Sequence, residues 1–66
     1  MTENLIEGLL EEIERNKELL EAYRSIPLGE FGAMMIEKDI KDAEEGIQNN
    51  DITRMLRTYK TLKSNQ

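Results

Sequence analysis

Histidine and cysteine are both missing from the 66 residues, so any chemistry has to come from carboxylates, lysines, arginines, tyrosines and hydroxyls. Such groups are weak bases and nucleophiles until a neighbour tunes them, and the many acids here fall in ordinary places. Glu11 with Arg15, Lys17 with Glu21, Glu37 with Lys41 and Lys38 with Asp42 stand at i, i+4. That is the spacing of solvated ion pairs on a helix surface, contributing roughly 0.3 kcal/mol each. A di-iron bundle site needs Glu-x-x-His motifs. A calcium loop needs an Asx-Gly turn, and Asp39, Asp42 and Glu44 lie instead in a helical pattern. Gly29 and Gly32 lack the further glycine, the lysine and the preceding strand of a phosphate loop. The sequence therefore reads as a non-enzymatic chain without metal or cofactor.

Binding chemistry is the other possibility. Arg54, Arg57, Lys60 and Lys63 give the last segment a basic character, but residues advancing by threes fall about 60° behind one another and wind around a helix instead of forming a stripe. Residues 1–24 carry seven acids and three bases, 25–50 six and two, and 51–66 one and four, for a net charge of −5. An acidic chain repels a polyanion. A phage-type nucleic-acid-binding regulator using those four residues is thus the alternative reading, and packing of the basic segment against the two acidic ones is the favoured one.

Three features break the helical pattern described below. Asn16 lies where a leucine is expected, between Ile13 and Leu20. It could be a buried amide that pairs with its symmetry mate and fixes register in a dimer, or an amide at the rim of a wide apolar arc, which the arc width favours. Gly32, Ala43 and Gly46 form a narrow stripe of small side chains. Either another backbone approaches closely there, offsetting about 1 kcal/mol per glycine, or the two glycines only mark the helix ends. Phe31, Met34 and Met35 cluster at the start of the second helix, with Met34 opposite the core stripe. Flexible thioethers suit adaptable binding surfaces, yet their habit of filling gaps favours the core.

The elements that hold these residues follow from periodicity. Leu5, Ile6, Leu9, Leu10, Ile13, Leu19, Leu20 and Tyr23 keep the i, i+3, i+4, i+7 spacing of a helix over residues 4–24. Thr2 or Asn4 is its N-cap, and Pro27 ends it. The turn from Ser25 to Glu30 follows, with Ile26 and Leu28 expected to cap the core. Ala33, Ile36, Ile40, Ala43 and Ile47 predict a second helix over 30–48, stopped by Asn49 and Asn50. Asp51 caps a third, 51–63, bearing Ile52, Met55, Leu56, Tyr59 and Leu62. The apolar arcs span roughly 180°, 160° and 120°, the widths expected when each helix touches two others. The fold class is all-α, a three-helix bundle forming one domain over residues 1–66.

Glu7, Gly8, Glu11 and Glu12 interrupt the apolar positions after the polar start, so neither a secretory signal nor a membrane span is expected, and the chain is expected in the cytoplasm. With 38% apolar residues in so short a chain, a homodimer is expected to bury additional area. The arrangement this favours sets the first helix antiparallel to its mate, with Leu9, Ile13, Asn16 and Leu20 near the two-fold axis.

The stretches Glu12–Tyr23, Gly29–Glu37 and Asp51–Leu62 resemble a family of small uncharacterised bacterial proteins, some in prophage-like regions. The resemblance spans residues 12–62 and implies a bacterial origin and a mobile-element setting, but no activity. Ala43–Leu62 also looks like half of a tetratricopeptide-type helical pair. A solenoid needs about three such repeats and this chain has no second copy, so ordinary helix-hairpin packing explains the likeness. The functional expectation is a protein-protein interaction module, docking to a partner or to itself, without membrane, metal or nucleic acid.

Overall fold

The computed structural model describes residues 2–66. It is a three-helix bundle built from α1 (Thr2–Arg24), α2 (Glu30–Gln48) and α3 (Ile52–Ser64), each in contact with the other two. The molecule is a rod of 40 × 16 × 16 Å. Ion pairs from Arg24 to Glu37 and from Lys17 to Glu44 show α1 and α2 running antiparallel. Contacts of α1 with α3 rise together, from Gly8 beside Tyr59 to Arg15 on Leu62 and Tyr23 on Gln66, so α3 is parallel to α1.

Local sequence explains the ends. Asn50 adopts a left-handed φ of 53°, and the Asp51 amide donates back to the Gly46 carbonyl at 2.9 Å, closing α2. The Asp51 carboxylate then accepts from the Arg54 amide at 3.1 Å and starts α3. At the other corner the chain turns tightly enough that a Cβ on Gly29 would stand 2.1 Å from the Tyr23 carbonyl oxygen. Only glycine fits there. Helix α1 already runs at Thr2, which places Asn4 inside its first turn and not at its N-cap.

The core consists of Leu9, Ile13 and Leu20 from α1, Ala33, Ile36, Ile40 and Ala43 from α2, and Met55 and Leu62 from α3. Leu10, Met35 and Leu56, the outermost members of the three expected arcs, are about half exposed. The inward arcs are therefore narrower than the apolar sequence pattern, because three parallel rods leave one another only a limited shared face. Ile26 and Leu28 do not cap the core either. Both are exposed, Leu28 almost completely, while Gly29 between them and α2 is the buried residue of the corner.

Asn16 is neither at a wet rim nor facing a symmetry mate. It is fully buried within one chain. Its Nδ2 donates to the Glu12 carbonyl at 2.8 Å and the Leu62 carbonyl at 3.1 Å, and its Oδ1 accepts from Asn65 Nδ2 at 3.0 Å. Asn65 also donates to Asp39 Oδ2 at 3.1 Å, which brings α2 into the same network. Thr58, the other buried polar residue among the described residues, satisfies its hydroxyl on the Arg54 and Met55 carbonyls. Leu9, Ile13, Asn16 and Leu20 are all interior, so the two-fold arrangement built on that face of α1 is not available without opening the bundle.

The small-residue stripe also divides. A Cβ on Gly32 would lie 2.6 Å from the Tyr23 ring, whereas one on Gly46 would make ordinary contacts of 3.4–3.5 Å with Arg54 and the Met55 amide. Ala43 and Gly46 are buried inside the bundle and Gly32 abuts α1, so the stripe serves packing between helices of one chain.

Two stability predictions result. Gly46→Ala should raise stability by up to about 1 kcal/mol, the helix-propensity gain, and Gly32→Ala should forfeit that gain or reverse it by displacing the Tyr23 ring; urea denaturation of the two variants checks this. Asn16→Ala leaves a void and frees Asn65, and should cost about 2 kcal/mol. Hydrogen exchange at the end of α3 should accelerate in the same variant, since its Leu62 anchor is weakened.

Candidate docking surface

Helix α2 turns its small residues inward and its largest apolar residues outward. Phe31, Met34 and Met35 stand at i, i+3 and i+4, so they share one face, and the corner before them adds Leu28 and Ile26. The exposures of Leu28, Phe31, Met34 and Met35 are 94, 76, 62 and 55%. The expected core-filling role for this cluster does not hold, because the inward positions of the same turns are Ala33 and Ile36. The face is firmly mounted. Gly29 and Gly32 both abut Tyr23, whose hydroxyl donates to the Gln66 carbonyl, and Arg24 pairs with Glu37 just beside the patch.

Along the outer side of α2 the apolar patch gives way to charge. An open groove continues from Met34 past Lys38 and Lys41 to Asp42, Glu45 and Arg54. There Asp42 receives the Nε of Arg54 on one oxygen and Nη2 of Arg57 on the other at 2.8 Å, while Arg54 Nη2 reaches Glu45 at 2.7 Å. The hydrogen bond from Arg54 holds the Asp42 carboxyl below its ordinary value, desolvation opposes this, and the Arg57 charge adds to the lowering. Arg54 is held correspondingly in its charged form, chiefly by its bond to Asp42.

Two of the four residues of the candidate basic surface are thereby committed to α2. Lys63 lies 5.5 Å from the centroid of the Tyr59 ring, and Lys60 is exposed. The four do not form one continuous basic face. Of the ion pairs expected from spacing, Glu37 with Lys41 forms at 3.7 Å. Arg15 pairs with Glu12 instead of Glu11, Lys17 with Glu44 of the neighbouring helix instead of Glu21, and Asp42 with the guanidinium groups of α3 instead of Lys38.

The residue that sequence spacing did not single out is Asn65, which donates to Asn16 Oδ1 at the end of α3, while Arg15, expected only as a partner of Glu11, donates to the Leu62 carbonyl beside it. The signal for Asn65 was faint, an asparagine just beyond a helix, and its partners are 26 and 49 positions away. Among the described residues no group of three or more His, Cys, Asp or Glu side chains is gathered for a metal ion, and no helix is long and apolar enough to cross a membrane.

No family model, curated protein or solved structure matches the chain. What the fold and this surface define is a class only: a small three-helix bundle with an apolar patch at one corner.

The Asp42 site generates a pH prediction. A carboxyl whose folded-state pKa is depressed adds stability that is present above its unfolded value, near 3.9, and lost as pH falls through the folded value. At pH 7 Asp42→Asn should cost about 1 kcal/mol, as befits partly exposed ion pairs. The difference between variant and parent should shrink as pH drops below about 4, again following the unfolded and folded values. Thermal melts of both chains between pH 7 and pH 2.5 measure it.

Proposed function

We propose that this chain is a non-enzymatic, cytoplasmic interaction module that works by docking a protein through the corner formed by Ile26, Leu28, Phe31, Met34 and Met35. The observation that carries the reading is the exposure of Phe31, Met34 and Met35 on α2, with Ile26 and Leu28 in the corner just before it, while the inward face of the helix is lined by Ala33, Ile36, Ile40, Ala43 and Gly46. Apolar patches of this extent, on the order of 600 Å², lie at the upper end of what a monomer leaves uncovered and mark interaction sites. Methionine adds adaptability, since its unbranched thioether reshapes to a partner at small cost. The charges around the patch, Glu30, Glu37, Lys38 and Lys41, are mixed in sign, which suits a protein surface better than a polyanion.

Photo-crosslinking tests this in the native host. A crosslinker at position 34 should give discrete protein adducts, and the same group at exposed Glu14 should not. Phe31→Glu in the same chain should abolish the adducts. Equal adducts from both positions, or none from any residue of the corner, would discard the reading. Gel-shift at about 50 mM salt, where phosphate contacts are strongest, should show no complex with DNA or RNA.

A further inference from the structure

We infer that the occupant of this corner is a second copy of the same chain, packed antiparallel across a two-fold axis beside Met34. The inference rests on the docking reading and names its partner. On the outer face of α2, Glu30, Met34 and Lys38 follow one another at i, i+4 and i+8, forming one ridge, and Phe31 with Met35 forms the next. When ridges of this kind interdigitate, two helices cross at about −50°, the commonest helix-packing class. Related by a two-fold axis, the ridges run in opposite directions, so Glu30 of each copy lies across from the other copy's Lys38. Met34 of each copy enters the depression bounded by Phe31, Met34, Met35 and Lys38 of the other, four positions with the i, i+3, i+4, i+7 spacing of a helical hole.

The ridge is self-complementary in both respects that a two-fold interface requires. Its acid and its base are equidistant from the apolar centre, each about 6 Å away along the helix, and the centre is apolar in both copies. Lys38 is exposed, and it is absent from the ion pairs that the neighbouring Glu37 makes with Arg24 and Lys41. Its stem can cover the Phe31 ring of the other copy while its ammonium reaches Glu30.

The areas agree with this occupant. Taking about 200 Å² for each large apolar side chain, Ile26, Leu28, Phe31, Met34 and Met35 leave on the order of 600 Å² uncovered per copy. Complete burial of these side chains on both copies would remove on the order of 1,200 Å², the lower edge of specific interfaces, and Glu30, Pro27 and Lys38 stand at the rim. An interface of that size gives a reversible dimer, not an obligate one.

Sedimentation equilibrium of the purified chain from about 10 to 500 μM is the test, with Kd read from the concentration dependence. Reversible growth of a species of twice 7.7 kDa is expected. Met34→Glu should raise Kd at least tenfold, and Phe31→Glu likewise, with the helical circular dichroism and melting midpoint retained because both residues face outward. Glu30→Lys and Lys38→Glu should each weaken the dimer several-fold, and the double charge reversal should restore it. A chain that stays monomeric at 500 μM, a dimer indifferent to Met34→Glu, or a double reversal that restores nothing would each overturn the inference. Adducts from position 34 with a different protein, together with a monomeric purified chain, would overturn the second copy as occupant and leave the docking reading standing.

Discussion

A carbonyl in the last turn of a helix has lost the amide that would bond it further along, and when buried it needs a donor from elsewhere. In this bundle the Leu62 carbonyl receives Arg15 Nη2 at 2.7 Å, Asn16 Nδ2 at 3.1 Å and the Asn65 amide at 3.2 Å. The first two come from α1, so the end of α3 is capped by another helix. The Arg15 guanidinium also places positive charge at the negative end of the α3 dipole. Asn16 completes its own valences by accepting from Asn65, and Asn65 in turn reaches Asp39 on α2. One buried amide therefore sets the height of α3 against α1 and, through a single intermediary, against α2. Apolar contacts between parallel rods tolerate sliding by a turn, and this network does not.

The second constraint is charge. Residues 1–24 and 25–50 are each strongly acidic, and α1 and α2 lie side by side. Their mutual repulsion is relieved by α3, the only segment with an excess of bases, which contacts both. Arg54 and Arg57 converge on Asp42, and Arg15 of α1 is directed at α3 as well, so these three guanidinium groups lie where helices meet. The polar side of the fold is thus arranged as the apolar side is, by what neighbouring helices need from each other. Only Glu37 with Lys41 keeps the within-helix pairing that spacing suggests.

Helix positions and ends were legible because they depend on local chemistry. Pro27 and Gly29 mark one corner, and Asn50 with Asp51 marks the other, each acting within a few residues of itself. The inward residues Leu9, Ile13, Ile36, Ile40, Met55 and Leu62 followed from period alone. What escaped was decided across the bundle. The burial of Asn16 depends on α3 ending at its level, a fact held in residues 46 and 49 positions away. The exposure of Phe31, Met34 and Met35 depends on how α2 is rotated, and an apolar cluster at helical spacing reads equally as core or as surface until the neighbours are placed. Leu28 offered one overlooked signal. A leucine between proline and glycine sits at the apex of a corner, where a chain turning this tightly directs side chains away from the bundle.

The rotation of α2 is also where folding and function separate. A helix arranged only for its own core would bury phenylalanine and methionine and expose alanine. Here Ala33, Ala43 and Gly46 face inward, which lets α2 approach its neighbours closely, and replacing them with the larger residues would overpack those contacts. The narrow core leaves no room for Phe31, Met34 and Met35, so their presence does not follow from what the bundle needs to stand. Exposed apolar side chains of that size lose the burial free energy of about 2 kcal/mol each that the same residues would gain inside. Polar residues at those positions would hold α2 equally well, since its helical frame rests on the Gly29 corner, the Asn50 end and two isoleucines. The outward cluster is therefore surplus to the fold, and it coincides with the one ridge whose charges are balanced about an apolar centre.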